Sequence, residues 1–388
     1  MTERRSGLDL GSRRQVTLRG RPELYTDYAA DQALLNTPAK RRFTLLLVAA
    51  LLATPFLLGR DLTTLLTTVF IYAIGAIGLN LVTGYAGQVS LGHAFFVGLG
   101  AYTAAFVGSE ATESLRGLGL ELWVWLPLAG LVPAVVGFLV APIAARVRGL
   151  YLAILTLGLV FIGDHVFKEA RTFTGGPGVG RRAAAPIVGG LDLSRRQEFF
   201  GITFEGADLF YLLCFALLVV MAVAARNLAR SKAGRAFAAV RDRDIAAEVM
   251  GVPLTRTKVL AFTISSFYAG ICGGLLAITY GVIEPASFNL LLSVDFLAMI
   301  LIGGVATVSG SLAGAAFVVL LPRIVQTYAH YMPGISRGST GGGILTVFQL
   351  EALLFGVLIV AFIVLEPRGL YGLWLRVRNY WKAWPFSY

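Results

Sequence analysis

Charge is what this sequence has least of. Only 14% of its 388 residues are Asp, Glu, Lys or Arg, against 56% hydrophobic, whereas a soluble domain carries about 25% charged residues. So few charges cannot cover a water-facing surface, which excludes a soluble globular chain. It also excludes a disordered one, whose signature is low hydrophobicity with high net charge. Cysteine is scarce too. Cys214 and Cys272 are too few for a disulfide-rich secreted module, and both fall in apolar runs without metal-ligand spacing, where they read as packing residues. No secretory leader is expected, because 42 basic, polar residues precede the first apolar run and no small-residue cleavage site follows it.

What is present instead is long apolar stretches. A helix needs about 20 largely apolar residues to cross the hydrocarbon. Ten runs are candidates: Phe43–Gly59, Leu62–Val82, Tyr85–Val107, Leu122–Ala145, Leu150–Phe167, Leu209–Ala225, Val259–Val282, Leu291–Ile302, Ser311–Tyr328 and Val347–Leu365. They are continuously apolar, unlike barrel strands, which alternate over about 10 residues. The expected fold is an all-α polytopic membrane protein with about ten transmembrane helices, one or two of them broken or half-spanning. Leu291–Ile302 is too short to cross alone.

The net charge of +11 reports orientation. Both termini are expected on the cytoplasmic side. There the tail 1–42, the Arg146/Arg148 turn, the loop 226–258 and the tail 367–388, with the adjacent Glu366, carry 23 Lys/Arg against nine Asp/Glu, or +14. The remainder carries 10 against 13, or −3. This is the asymmetry of the positive-inside rule, and it makes a nucleic-acid partner unnecessary. The expected division is a basic N-terminal tail (1–42), a transmembrane domain (43–366) and a basic C-terminal tail (367–388).

Two loops stand out. The loop 168–207, expected outside, includes Thr174-Gly175-Gly176-Pro177-Gly178-Val179-Gly180 but lacks the Lys-Ser/Thr of a phosphate-cradling loop, which excludes nucleotide binding there. It reads as a flexible loop with tight turns or as a contact for an external partner or substrate. In the loop 226–258, Ser231–Arg241 reads as a short amphipathic helix and Asp244–Gly251 as another, with Asp244 placed as its N-cap and Gly251 as its C-terminal stop. Phe237, Val240, Ile245, Val249 and Met250 are apolar knobs on this charged segment, suited equally to a partner protein or to a membrane surface.

The third run opens with four polar side chains and three glycines within Asn80–Ala94: Asn80, Gly84, Gly87, Gln88, Ser90, Gly92 and His93 lie here. Unwound backbone at membrane depth is tolerated only where protein or a water-filled cavity covers it, and glycine-interrupted apolar segments mark transport paths. A comparable break follows at Gly303-Gly304 through Gly310. Gly270/Gly274 and Gly310/Gly314 form GxxxG spacings that read as helix packing. Of the ionisable residues within or near runs, Asp164, His165, Asp295, Arg323 and Glu351 sit near predicted ends. His93 lies inside the break, either as a satisfied structural histidine or as a substrate contact. Neither a Ser/His/Asp triad, a zinc-helix motif nor paired intramembrane aspartates are apparent, so an intramembrane hydrolase is unsupported.

The stretch Gly78-Leu79-Asn80-Leu81 through Gly84-Tyr85-Ala86-Gly87-Gln88-Val89-Ser90-Leu91-Gly92-His93-Ala94-Phe95-Phe96 resembles the signature of permease subunits of bacterial branched-chain amino acid ABC importers, most closely the M-type permease of the leucine/isoleucine/valine system. Gly149–Leu157, Thr174-Gly175-Gly176, Gly234-Arg235-Ala236, Ala246–Gly251, Ile302-Gly303-Gly304 and Gly310 continue it, so that it covers about residues 70–366. Pro177–Gly180 departs from the Gly-Leu ending expected after Thr-Gly-Gly, and the N-terminal tail lies outside the resemblance. The resemblance implies one transmembrane half of an importer in the bacterial inner membrane. Its partners would be a second, H-type permease, two cytoplasmic ATP-binding subunits carrying ATP-Mg and an extracytoplasmic substrate-binding protein, with lipid around it. This chain would bind no cofactor and catalyse no covalent chemistry. The resemblance makes the cytoplasmic helices of 231–251 the coupling element, with Gly234, Arg235, Phe237, Val240, Ile245, Ala246, Ala247, Glu248, Met250 and Gly251 facing the ATPase. Asn80, Gly84, Gly87, Gln88, Ser90, Gly92, His93, Gly303 and Gly304 would belong to the translocation pathway. A urea or short-chain amide permease shares much of this pattern, and an ion-gradient secondary transporter or a membrane scaffold remains the alternative of another class.

Overall fold

The computed structural model describes residues 38–57, 59–112, 115–147, 149–194, 196–199, 202–328, 335–336 and 345–383. Residues 1–37 of the expected N-terminal tail and 384–388 of the C-terminal tail lie outside them. The described residues fall into two compact units. One takes in 38–46 and 374–383, the outer parts of the helices Pro38–Leu57 (α1) and Gly369–Ala383 (α13). The other, 47–373, holds everything described below.

Arg60–Leu79 (α2) continues as a π-helical turn, Asn80–Tyr85. After a non-helical stretch come His93–Gly108 (α3), Leu122–Arg146 (α4) and Leu150–Glu169 (α5). Short strand pairs follow: Arg181–Arg182 (β1), Ile187–Val188 (β2) with Leu191–Asp192 (β3), and Gln197–Phe199 (β4) with Ile202–Phe204 (β5). The chain then forms Gly206–Arg230 (α6), Lys232–Asp242 (α7), Asp244–Val249 (α8) and Leu254–Tyr280 (α9). Val282–Ile283 (β6), paired antiparallel to β1, leads into Leu290–Gly303 (α10), Val308–Tyr328 (α11) and Val347–Leu365 (α12).

The protein is a mostly helical, multi-pass membrane protein. Among the described residues six helices are long and apolar enough to cross: Arg60–Tyr85, Leu122–Arg146, Leu150–Glu169, Gly206–Arg230, Leu254–Tyr280 and Val308–Tyr328. His93–Gly108 and Leu290–Gly303 are shorter, about 24 and 21 Å at 1.5 Å per residue, less than the ~30 Å hydrocarbon core. The expected third span, Tyr85–Val107, is therefore corrected. Its first residues are the end of the π turn and an irregular segment, and helix begins only at His93.

Arg60–Tyr85 and Leu254–Tyr280 are each 78% buried, against 28–39% for the other four long helices. These two form the centre and the rest pack around them. Small residues permit that closeness. A Cβ at Gly270 would strike the Ala129 carbonyl of α4, and one at Gly314 the Met299 carbonyl of α10. The GxxxG glycines thus do the packing expected of them.

Successive helices place their ends in two groups. One group gathers the 109–121 and 170–192 segments with 281–283, joined by the β1–β6 pair and a bond from Gly189 N–H to the Glu121 carboxylate at 2.9 Å. The other gathers the π turn, Val147, Gly149 and helices α7 and α8. Cys214 and Cys272 are free and fully buried.

Candidate translocation and coupling site

The break in the third run is a built structure. A buried helix start leaves four N–H groups without intrahelical partners, and here other residues supply acceptors. Thr156 Oγ1 of α5 accepts from Leu91 N–H at 2.9 Å, Ser293 Oγ of α10 from Ala94 N–H at 2.9 Å, and Ser90 Oγ from Gly92 N–H at 3.4 Å. Upstream, Gln88 N–H reaches back to the Val82 carbonyl, and Thr83 Oγ1 donates to the Gln88 carbonyl. Ser90 of the break, with Thr156 and Ser293 of neighbouring helices, thus satisfies unwound backbone, as the absence of water requires.

Asn80 closes the second break. Its Nδ2 donates to the Thr307 carbonyl at 3.0 Å and to Ser311 Oγ at 2.7 Å, and its Oδ1 accepts from Ala306 N–H at 2.8 Å. Gly303-Gly304 therefore begins the tight turn of an α10–α11 hairpin clasped by the π turn. Ala306 sits there at φ 58°, a left-handed conformation uncommon for alanine. His93 is buried, donates Nε2–H to the Gly75 carbonyl at 3.0 Å and meets the Phe296 ring edge-on. Of its two readings, the geometry matches the structural histidine. Of the nine residues expected in the pathway, Gly87 alone is exposed; Gln88 reaches a pocket, and the other seven are enclosed.

The cytoplasmic-type helices form as the sequence suggests, with one correction. Ser231 caps α7, its Oγ accepting from Gly234 N–H. Asp244 is not the N-cap of α8. It is the first helical residue, and its carboxylate accepts from the adjacent Ile245 N–H, because the chain enters helix one residue earlier, with Arg243 extended. Gly251 ends α8 at φ 83°, with Val252 N–H bonded to the Ala247 carbonyl and Gly251 N–H to that of Glu248. This is a Schellman closure.

The ten residues expected to face an ATPase divide. Phe237 (0% exposed), Val240, Gly234 and Ala247 are buried against this chain itself, which corrects their assignment to a docking face. Ile245 and Met250 stand 65% and 83% exposed, with Arg235, Ala246, Glu248 and Gly251 also on the surface; beside them Val249, named as an apolar knob but not among the ten, is 82% exposed.

The two sets of residues meet. Arg241 of α7 donates Nη1–H to the Gly84 carbonyl at 3.3 Å, and its side chain lies over Gly87. Gly87 has φ 69°, and a Cβ there would sit 2.8 Å from Arg241 Cγ. A side chain would thus be both strained and obstructive. Arg241 also pairs with Asp242 at 3.0 Å. Sequence reading placed Arg241 at the end of the helix Ser231–Arg241 but gave it no role or contact, because nothing in the local pattern distinguishes it from other surface arginines.

At the opposite group of ends sequence reading also missed Arg181. This guanidinium is 2% exposed and donates to the carbonyls of Phe173 and Arg116, each at 2.6 Å, and to Ser109 Oγ at 2.9 Å, lying 5.8 Å from the Phe106 ring centroid. Burial lowers its pKa, though an arginine stays charged. Gly175, Gly176, Gly178 and Gly180, all at positive φ, turn the chain tightly enough to bring Arg181 home. Among the described residues no group of three or more His, Cys, Asp or Glu could hold a metal.

Comparison with known proteins agrees with this architecture. The family described as "Branched-chain amino acid transport system / permease component" matches residues 62–365. The high-affinity branched-chain amino acid transport system permease protein LivM of Salmonella typhimurium is 31% identical over 347 residues, covering 86% of this chain and 76% of that protein. Its Escherichia coli counterpart is 30% identical over the same shares. A probable branched-chain amino acid transport permease protein LivH of Methanocaldococcus jannaschii is 26% identical over 71% of this chain and 83% of its own. No solved structure gave a match. With a family match across most of its length and relatives at this level of identity, the chain belongs to the permease components of branched-chain amino acid transport systems.

Proposed function

We propose that this chain is one transmembrane subunit of an ATP-driven importer of branched-chain amino acids. A second, H-type permease completes the pathway, an extracytoplasmic binding protein delivers the substrate, and two ATP-binding subunits supply energy from ATP-Mg. About ten helices, one or two of them broken or half-spanning, lie in the bacterial inner membrane; the tails 1–42 and 367–388 and the loop 226–258 are cytoplasmic, and the loop 168–207 lies outside. The charge asymmetry of +14 against −3 supports that orientation.

The observation that carries the coupling reading is the contact of Arg241 with Gly84 and Gly87. The exposed Ile245, Glu248, Val249 and Met250 seat in the ATPase. The buried Phe237 and Val240 hold α7 rigid against the membrane helices. Arg241 then transmits displacement to the π turn and the unwound segment 86–92. A π turn is a common functional irregularity in a helix, and here its Asn80 clasp couples the same movement to the α10–α11 hairpin.

The test is uptake by proteoliposomes containing this chain with its partner subunits. Leucine uptake should require ATP and binding protein and be competed by valine but not by urea. Competition by urea would transfer the assignment to the amide permeases. Uptake that ignores ATP but collapses with the ion gradient would make the protein a secondary transporter.

A further inference from the structure

The junction between α7 and the unwound segment holds a half-open pocket of about 220 Å³. Its lining combines apolar walls, Val147, Leu152 and Val240, with the charged residues Arg241, Asp242, Arg243, Asp244 and Lys258 and the amide of Gln88. Arg241 is engaged by Asp242 and by the Gly84 carbonyl. Lys258 is different. It is 8% exposed and forms no hydrogen bond or ion pair among the described residues. Its stem is buried while the ammonium stays open to the pocket with its donors unused. Gln88, 4% exposed on the same pocket, leaves its amide nitrogen buried with no hydrogen-bond partner. One orphaned buried amide and one unpaired ammonium on the same small cavity are the mark of a site whose ligand supplies an acceptor.

We propose that this pocket binds a small aliphatic α-amino acid. The carboxylate accepts from the Lys258 ammonium and the Gln88 amide, the side chain lies against Val147, Leu152 and Val240, and the ammonium shares the lining with Asp242 and Asp244. The choice of an amino acid over a simple anion comes from the lining, which offers donors, carboxylates and an apolar wall together. The proposal deepens the transport reading and rests on it: the site lies on the side where substrate leaves, against the element that carries the ATPase movement.

Cysteine protection tests it. Cys214 and Cys272 are fully buried, so a Val147→Cys variant of the full chain, purified with its partner subunits, offers a thiol at the pocket over little background. L-Leucine should slow its modification by a charged, water-soluble thiol reagent. Lys258→Gln, and independently Gln88→Leu, should raise the leucine concentration needed by at least about tenfold, as expected for losing a hydrogen bond to a charged group. No protection by leucine, equal protection by acetate or inorganic phosphate, or a thiol that takes no label each overturns the proposal. A complex that imports leucine without protection keeps the transport reading and loses this site. Protection in a complex that imports only urea does the reverse.

Discussion

Two side chains show how single polar groups hold this apolar molecule together. Asn80 satisfies both ends of its amide across the π turn and the α10–α11 hairpin, and removing it strands buried partners. Asn80→Ala should cost at least about 2 kcal/mol, because each orphaned buried group forfeits ~1–3 kcal/mol. It should be read as a Tm lower by several degrees in detergent. Asn80→Asp should be worse than alanine, since it replaces two donated hydrogen bonds with a charge facing oxygen atoms. Equal Tm values for the two variants would contradict the clasp. Arg181 makes a parallel case at the other group of helix ends, where its planar fork serves three acceptors on the 109–121 and 170–192 segments. Arg181→Lys keeps the charge but loses the fork, so it should recover little of the stability lost in Arg181→Ala, measured by the same unfolding assay.

Among the elements, α7 and α8 have separate duties despite similar composition. Phe237 fills this chain's own interior, so Phe237→Ala should destabilise by about 3–5 kcal/mol, the usual cost of emptying a buried aromatic site. The triple replacement Ile245→Ser, Val249→Ser, Met250→Ser touches exposed side chains. It should leave Tm within about a degree while abolishing co-purification of the ATPase, because surface changes alter stability by only ~0.5 kcal/mol. Retained co-purification would remove α8 from the docking face. Gly87→Val tests the link between the elements. Its left-handed backbone and the nearness of Arg241 predict ATP hydrolysis that no longer drives uptake, seen as an ATPase rate preserved while leucine transport falls.

At the scale of the whole molecule the prediction concerns sidedness. Val179 and Val249 are 76% and 82% exposed at opposite groups of helix ends, while the native cysteines are buried. In intact cells a membrane-impermeant thiol reagent should label Val179→Cys and spare Val249→Cys until the membrane is opened. The reverse pattern would invert the topology. Carboxylates argue against an ion-gradient mechanism at this scale. Asp164 pairs with Lys168 at 2.7 Å, Asp61 with Arg323 at 3.7 Å, and Glu351 with Gln326 at 3.1 Å. Asp295, half-buried and five residues into α10, forms no ion pair among the described residues and is the strongest exception.

Much was legible in the sequence because it depends on local composition. The apolar runs specify helices, since lipid offers backbone groups no alternative partner. The Gly- and Ser-rich stretch 84–93 marks where a helix must stop, and Gly251 marks the end of α8 by capping chemistry that acts within four residues. Tertiary structure alone decided which residues those devices serve. Phe237 and Met250 look alike as apolar knobs on a charged segment, but one is enclosed and the other exposed, because burial depends on which helix lies opposite. His93 and Ser90 look like a polar path, yet Gly75, Thr156 and Ser293, distant in sequence, turn that segment into satisfied packing. Arg241 and Lys258 carried no local signal at all. Their meaning comes from the residues Gly84–Gln88 far earlier in the chain, 157 residues from Gly84 to Arg241, which folding alone places against them.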